Sequence, residues 1–185
     1  MISYDVVILF SGGADSVMLF DMAMNLNKHP LFLMIDYGQL HKEELTYAKE
    51  FLKQYNVIQH SQTVKIDNML INSGLTGNGE TCLYNGVNEY YVPARNMIFI
   101  SIAASIAEAN NIDTIWYGAD YSDRLDNFPD CYQEWVVKIN EMLKYNGPRD
   151  ITVEAPLMGM SKRNILTYLH KHNYGVNIFS GYGDL

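Results

Sequence analysis

Cysteine is scarce in this sequence: Cys82 and Cys131 are the only two in 185 residues. Their wide separation excludes a disulfide framework and a Cys-x-x-Cys metal site. So few thiols are typical of a protein from a reducing compartment. The N-terminus runs directly into an apolar strand pattern without a basic segment, which argues against a signal peptide. We therefore expect a cytoplasmic protein.

Positive charge is also in short supply. Lysine and arginine total 13 against 21 acidic residues, which gives a net charge of -8 and a pI near 5.0. This balance argues against direct binding to nucleic acid or to an anionic membrane surface, although a local pocket can still hold a small anion. The most apolar stretch, 97–107, is shorter than the about 20 residues that span a bilayer. We expect a small-molecule substrate and no membrane segment.

Apolar runs that predict strands alternate with amphipathic segments that predict helices, and the length suits a single domain over residues 1–185. The segment 68–91, rich in glycine and asparagine, is predicted to be irregular and is typical of a lid or binding loop. A second polar loop is predicted at 118–129, and Ser161 is predicted to cap the last helix. The predicted strands are 6–10, 31–35, 58–64, 114–117 and 151–155, and the predicted helices are 17–26, 42–55, 95–110, 132–143 and 161–172.

This alternation indicates an α/β fold in which a parallel sheet is covered by helices on both faces, a Rossmann-like three-layer sandwich. Ligands of such folds bind at the carboxyl ends of the strands. The segments that follow the predicted strands, where a site is expected, are 11–16, 36–41, 118–130 and 156–162.

The first of these segments reads Ser-Gly-Gly-Ala-Asp-Ser, from Ser11 to Ser16. Its glycines permit positive φ and a close approach to a ligand, while successive amides and the helix N-terminus favour an anion. An ordinary tight turn capped by Asp15 or Ser16 is the alternative. The segment lacks the lysine of a Walker loop, so transfer of a γ-phosphoryl group is the less expected chemistry.

This hexapeptide resembles the PP-loop of the N-type ATP pyrophosphatases, whose fold is adenine nucleotide alpha hydrolase-like. The resemblance implies that the protein uses ATP with magnesium, transfers AMP to a substrate oxygen and releases pyrophosphate. Asp15 would orient the loop or help to hold magnesium. The cofactor-binding residues implied around the loop are Phe10, Ser11, Gly12, Gly13, Ala14, Asp15, Ser16 and Val17.

Further stretches, in order along the chain, resemble one branch of that group, the 7-cyano-7-deazaguanine synthase (QueC) family. They are Asp36-Tyr37-Gly38-Gln39-x-His41-x-x-Glu44-Leu45, Val92-Pro93-Ala94-Arg95-Asn96-Met97, Gly118-Ala119 through Phe128-Pro129-Asp130-Cys131, and Ala155-Pro156-Leu157 followed by Ser161-Lys162.

The resemblance implies three sets of site residues. Catalysis would involve Asp15, Ser16, Arg95 and Lys162. ATP would also contact Tyr37, Gly38, Gln39, Arg95, Asn96 and Gly118. Substrate would contact His41, Pro129, Asp130 and Cys131. From their position in the loop after the predicted strand 114–117, Asp123 and Asp130 are the candidates for a carboxylate that accepts the N1–H and 2-amino group of the base.

Several of these residues also have purely structural interpretations. Tyr37-Gly38 could form a simple turn, and Asp130 could cap the helix that begins near Tyr132. Lys162 could be a solvated lysine, although in the first turn of a helix it opposes the helix dipole, which favours a nearby phosphate. His41 is interpreted as a turn residue and not as a metal ligand.

The implied reaction joins 7-carboxy-7-deazaguanine to AMP, replaces AMP with ammonia to give the amide, and adenylates the amide to release the nitrile, preQ0, for queuosine biosynthesis. One alternative is a variant that stops at the amide, as a phage-type nucleic-acid modification pathway could use. Others are a non-catalytic nucleotide-binding subunit and a different PP-loop amidotransferase or thiolase. The family resemblance also suggests a homodimer.

One part of the family pattern is missing. The family continues with a cysteine cluster that binds one zinc ion, but Gly181 stands where the first of these cysteines is expected, and the sequence ends at Leu185. Cys82 and Cys131 cannot rebuild a site of four thiolates. The sequence therefore predicts no structural zinc, no other set of protein metal ligands and no zinc-binding C-terminal region.

Overall fold

The computed structural model describes residues 3–39, 43–66, 92–125 and 127–174. Within these ranges five strands form one sheet and six α-helices pack around it. The strands are β1 (Val6–Leu9), β2 (Pro30–Asp36), β3 (Ser61–Lys65), β4 (Thr114–Trp116) and β5 (Thr152–Glu154). The helices are α1 (Ala14–Asn25), α2 (Glu43–Gln54), α3 (Arg95–Ala109), α4 (Tyr121–Leu125), α5 (Gln133–Leu143) and α6 (Lys162–Lys171).

The sheet is entirely parallel, with strand order β3-β2-β1-β4-β5. The chain adds β2 and β3 on one side of β1 and then returns to add β4 and β5 on the other side. The order therefore reverses between β1 and β4, and a crevice for a ligand is expected outside the carboxyl ends of these two strands. The segments that leave β1 and β4 begin at Phe10 and Tyr117.

Apolar side chains cover both faces of the sheet at its centre, which explains why β1 and most of β2 read as apolar runs, whereas the edge strand β3 is largely polar. On one face α3 and α5 pack over the sheet through residues such as Ile100, Ala104 and Ile139. On the other face α1, α2 and α6 bury residues such as Phe20 and Phe51. The predicted α/β three-layer sandwich is confirmed.

The structure differs from the predicted elements in two places. The segment 118–129, predicted to be a loop, contains α4, because Asp120 and Asp123 form a reciprocal cap. Asp120 Oδ1 accepts bonds from the amides of Ser122 at 2.6 Å and Asp123 at 3.1 Å, and Asp123 Oδ2 accepts from the Asp120 amide at 3.0 Å. The strand predicted at 58–64 begins with a 3-10 turn, Ile58–His60, and becomes β3 only at Ser61.

Other predictions have definite outcomes. Ser161 does cap α6, since its Oγ accepts a bond from the Asn164 amide at 3.3 Å. Among the described residues no helix is both long and apolar enough to cross a membrane. The predicted irregular segment 68–91, His41 and Gly181 lie outside the described residues.

Candidate nucleotide site

The loop after β1 is closed by its own hydrogen bonds. Gly12 has φ +84°, and a Cβ at this position would lie 2.9 Å from the Cα and N of Ala48 in α2. The Gly12 amide donates to Ser16 Oγ at 3.0 Å, and that hydroxyl donates to the Gly13 carbonyl at 2.9 Å. Only glycine accommodates both the left-handed backbone and this close approach to α2.

This geometry presents the N-terminus of α1 to the crevice between β1 and β4. The helix begins at Ala14, and the amide of Val17 bonds to the Gly13 carbonyl at 3.0 Å. By helix geometry the amides of Ala14, Asp15 and Ser16 have no acceptor within the helix. A helix start of this kind, preceded by a close-packed glycine, is suited to a phosphate group.

Phe10 and Val17, which flank the loop, are core residues. Phe10 is 2% exposed and Val17 is fully buried, and the Phe10 ring packs against Phe32 and Phe51. Both had been predicted to bind the cofactor. Their buried side chains restrict any such contact to the main chain.

Lys162 reaches from α6 to the start of α1. Its Nζ lies 2.6 and 2.5 Å from the two carboxylate oxygens of Asp15 and 2.8 Å from Oδ2 of Asp120. The Lys162 amide also donates to Ser122 Oγ at 2.9 Å, which fixes the start of α6 against α4. Lys162 is therefore paired with two carboxylates, and its interpretation as a solvated lysine is wrong.

Asp120 is a residue that the sequence analysis missed. It is fully buried, and its two oxygens have different partners, the amides at the start of α4 and the ammonium of Lys162. Its position three residues before Asp123 was a signal of the reciprocal cap. Nothing in the spacing of these residues indicated the contact with Lys162.

Burial and charged neighbours shift the pKa values of Asp15 and Lys162. Burial raises the pKa of Asp15, and although the Lys162 ammonium lowers it, the nearby carboxylates of Asp120 and Asp123 add to the rise. Burial alone would lower the pKa of Lys162, but its contacts with Asp15 and Asp120 raise it above the ordinary value. Lys162 is therefore a permanent cation at the mouth of the loop.

Gly118, predicted to bind the cofactor, has a clear structural task. A Cβ on Gly118 would lie 2.9 Å from the Cβ of Asp15. The absence of a side chain after β4 thus allows the first turn of α1 to approach β4 closely. Gly118 determines where Asp15 lies relative to the crevice.

The residues after β2 form a tight turn. Gly38 has φ +77°, its amide donates to Asp36 Oδ1 at 3.2 Å, and the Tyr37 amide donates to Gln39 Oε1 at 3.1 Å. Tyr37 and Gln39 are 8% and 5% exposed. These bonds support the simple-turn interpretation, and the predicted ATP contacts of these residues stay predictions.

A hollow of about 200 Å³ lies beside the start of α3. Ala94, which precedes α3, has the left-handed conformation with φ +55°, which is uncommon for a residue other than glycine. Two predicted substrate-binding residues line this hollow together with an indole ring. The full lining is Ala94, Met97, Pro129, Asp130 and Trp135.

Arg95 and the half-buried Asn96 begin α3 next to this hollow. Burial raises the pKa values of both Asp123 and Cys131, and the positive charge of Arg95 opposes both shifts. Arg95 therefore acts electrostatically on two predicted substrate-binding residues. Its predicted partner was an ATP phosphate, and that role stays a prediction.

Asp130 does not cap α5, because the N-cap position belongs to Tyr132. Asp130 lies in a 3-10 turn, Pro129–Cys131, and its carbonyl accepts a bond from the Tyr117 hydroxyl at 2.9 Å. Cys131 is 4% exposed, and burial together with the charges of Asp123 and Asp130 raises its pKa. A thiol in this environment is a poor nucleophile.

Within the described ranges, no group of three or more His, Cys, Asp or Glu side chains could hold a metal ion. Cys82 and the segment around Gly181 lie outside those ranges. The predicted lack of structural zinc therefore stays a prediction.

Structural comparison gives the fold without the activity, because identities are low. A U34-tRNA thiolase, NcsA, from Methanococcus maripaludis matches with a TM-score of 0.62 at 15% identity, over 98% of this chain and 61% of the thiolase. An NH3-dependent NAD synthetase from Campylobacter jejuni matches with a TM-score of 0.58 at 16% identity, over 95% of this chain and 68% of the synthetase. The predicted adenine nucleotide alpha hydrolase fold is confirmed.

Sequence comparison is more specific. A 7-cyano-7-deazaguanine synthase of Rickettsia felis is 39% identical over 86% of this chain and 75% of the relative. One of Prochlorococcus marinus is 35% identical over 90% of this chain and 79% of the relative. The family model described as queuosine biosynthesis protein QueC matches residues 5–182. Together with the glycine loop and the fold, these matches show that the chain belongs to the QueC family.

Proposed function

We propose that this protein uses ATP to convert 7-carboxy-7-deazaguanine and ammonia into the nitrile 7-cyano-7-deazaguanine. The observation that carries the proposal is the closed glycine loop at the start of α1, with the Lys162 ammonium beside it. This chain matches about three quarters of the length of relatives that are named 7-cyano-7-deazaguanine synthase, and those names support the choice of substrate.

The site suits the polyphosphate of ATP. Gly12 allows the loop to pack closely against α2, the first amides of α1 are available to oxygen atoms, and Lys162 supplies a positive charge. These groups would stabilise the pyrophosphate as it leaves. Magnesium usually binds through substrate phosphates and one or two carboxylates. Asp15 is the carboxylate of the loop that could join such an ion, whose role would be to neutralise phosphate charge.

The proposed reaction has two activations. A carboxylate oxygen of the substrate attacks the α-phosphorus of ATP, and pyrophosphate leaves. Ammonia then attacks the carbonyl carbon, loses a proton and displaces AMP, which gives the amide. The amide oxygen attacks a second ATP in the same way, and loss of AMP and the remaining N–H protons leaves the nitrile. Each nitrile therefore consumes two ATP and yields two AMP and two pyrophosphate.

The hollow beside α3 is the proposed site of the deazaguanine. Trp135 offers a ring face for stacking, and a carboxylate can accept both the N1–H and the 2-amino group of the base. Asp123 and Asp130 were both candidates for that carboxylate. Asp130 is favoured because it lines the hollow, whereas one oxygen of Asp123 is engaged by the Asp120 amide at 3.0 Å.

Mass spectrometry of the products tests the proposal directly. The protein is incubated with the carboxy acid, ATP, magnesium and ammonium, and nucleotides are quantified alongside the base. We expect the nitrile with two AMP per product. Accumulation of the amide would identify the variant that stops after one activation. ADP as the main nucleotide product would refute the proposal. So would the absence of any product under conditions in which active relatives form the nitrile.

A variant pair tests the base site separately. Asp130→Asn should raise the KM for the carboxy acid at least tenfold, while the KM for ATP stays within threefold of the wild-type value. Glu134→Gln, an exposed change in the first turn of the neighbouring helix α5, is the control. An unchanged KM for the acid in Asp130→Asn would remove Asp130 from the site.

The cytoplasmic location and the homodimer stay predictions.

A further inference from the structure

We infer that Asp120 is a positioning residue, which holds the Lys162 ammonium at the mouth of the glycine loop. This inference rests on the proposed function, since it assigns Lys162 to the phosphates of ATP. Asp120 is fully buried, and its Oδ2 lies 2.8 Å from Lys162 Nζ. A charge buried so completely costs free energy unless it is paired and hydrogen-bonded. Oδ1 is hydrogen-bonded to two amides, and the ion pair with Lys162 offsets the cost at Oδ2, to which no described residue donates a hydrogen bond of standard geometry.

The two oxygens of Asp120 connect two elements. Oδ1 accepts bonds from the amides of Ser122 and Asp123, and these bonds hold the carboxylate at the start of α4. Oδ2 faces Lys162, the first residue of α6. The main chain adds a second link, because the Tyr121 amide donates to the Met160 carbonyl at 2.9 Å. These bonds hold the Asp120 carboxylate in place, and the ammonium of a flexible lysine lies against it.

The two carboxylates explain how the ammonium at the end of the long Lys162 side chain has a defined position. A free lysine has four side-chain torsions, and fixing them costs up to about 2 kcal/mol of entropy. With Asp15 on one side and Asp120 on the other, the Lys162 ammonium is already confined before ATP binds. Its three hydrogens face three carboxylate oxygens, so a phosphate oxygen of ATP would take the place of one Asp15 oxygen as the partner of a Lys162 hydrogen. Asp15 is part of the loop, whereas the bonds and the ion pair of the Asp120 side chain join it to α4 and to Lys162. Asp120 therefore acts on the loop through Lys162.

Asp120→Asn separates this role from the capping role. The amide oxygen can still accept the two backbone bonds, since Asn is as good a cap as Asp, but the negative charge that faces Lys162 is lost. We expect kcat for AMP formation to fall at least tenfold, with the KM for ATP within threefold of the wild-type value. Asp113→Asn is the matched control, because it removes a carboxylate from an ion pair with Arg149 at the opposite end of β4.

A double-mutant cycle with Lys162→Met provides the readout that a purely structural role would not move. In the Lys162→Met background, Asp120→Asn should change kcat less than twofold. Its effect on Tm should also reverse: it lowers Tm in the wild-type background, but raises Tm when Lys162 is absent, because Asp120 is then a buried charge without its partner. Asp120→Ser, which keeps a capping oxygen, replaces Asp120→Asn if that variant does not fold.

Equal losses of kcat from Asp120→Asn in both backgrounds would overturn the inference. So would wild-type activity of Asp120→Asn, or an equal loss in Asp113→Asn. The wild-type control keeps this test distinct from the test of function. If wild type forms AMP and pyrophosphate but the cycle shows no coupling, only the role of Asp120 fails. If wild type forms neither, the proposed function fails, and the reversal of Tm still tests the pairing.

Discussion

Gly12→Ala is the substitution that most directly tests the geometry of the loop. A Cβ at this position would lie 2.9 Å from the backbone N and Cα of Ala48, and backbone atoms of a packed helix cannot rotate away. The φ of +84° is a second obstacle, since a left-handed conformation costs a residue with a Cβ about 1–2 kcal/mol. Both effects act against the folded state.

The expected loss of stability is the sum of these effects, less a small gain. Alanine restricts the unfolded chain and so returns about 0.4–1 kcal/mol, while displacement of α2 or the loop adds a cost of about 1–3 kcal/mol. The middle of each range gives a net decrease in the free energy of unfolding of about 3 kcal/mol. For a chain of this size each kcal/mol lowers Tm by about 2–4 °C. Thermal unfolding followed by circular dichroism should therefore show a Tm lower by about 6–12 °C.

Activity should fall further than stability alone explains. A displacement of the phosphate-binding amides by about 1 Å costs about 100-fold in rate, so kcat/KM for ATP should drop by that order at temperatures where the variant is folded. Gly159→Ala is the matched control: a Cβ on Gly159 would meet no atom within 4 Å. Wild-type Tm and kcat/KM for Gly12→Ala, or equal losses in Gly159→Ala, would refute the reasoning.

Three further predictions concern the groups around Lys162 and the buried thiol. Gly118→Ala should lower kcat at least tenfold with a smaller loss of Tm than Gly12→Ala, because its one close contact would be with the Cβ of Asp15 at 2.9 Å, while the backbone atoms it meets, Asp15 C and Ser16 N, lie at the ordinary distances of 3.7 and 3.8 Å; an unchanged kcat would contradict this. Burial raises the pKa of Asp15 from 3.8 to about 6, so between these values the folded state binds more protons than the unfolded state, and stability contributed by this group falls as pH rises. Urea unfolding gives the free energies of unfolding of Asp15→Asn and wild type. From pH 4 to pH 7 the difference between them should move in favour of the variant by up to about 3 kcal/mol, and a difference that does not depend on pH would count against the raised pKa of Asp15. In a Cys82→Ser background, alkylation of Cys131 at pH 7 should be at least 100-fold slower in native than in urea-unfolded protein, because burial raises its pKa; comparable rates would reopen thiol chemistry.

The fold was predictable because its signals are local. Buried parallel strands read as apolar runs such as Leu31 to Ile35, and a helix apolar on several sides, like α3, reads as one that lies against a sheet. The loop was predictable for the same reason, since the close approach and positive φ at Gly12 require glycine. Ser161 was recognised as a cap because capping depends on neighbours three residues apart.

The parts that failed depend on contacts between distant residues or on competing roles. α4 was missed because its reciprocal cap of two aspartates, Asp120 and Asp123, lies in a polar stretch that also resembles a loop. Phe10 was assigned to the nucleotide from its position beside the loop; its ring is in the core, so the assignment stays a prediction that concerns its main chain alone. Asp130 was weighed as a cap of α5, and the intervening 3-10 turn moves it to the hollow beside Trp135.

The pairing of Lys162 with Asp15 joins residues 147 positions apart. Further contacts between α1 and α6 fix the position of Lys162 relative to Asp15. The same helix that begins at the glycine loop carries Asp21, which is 7% exposed. Its carboxylate accepts bonds from the hydroxyls of Tyr168 at 2.8 Å and Tyr174 at 2.9 Å. α6 is thus held to α1 at the Lys162 end by an ion pair, further along by Tyr168, and just beyond its last residue, Lys171, by Tyr174. Because two separated contacts prevent α6 from pivoting, the position of the Lys162 ammonium follows from the position of the loop itself.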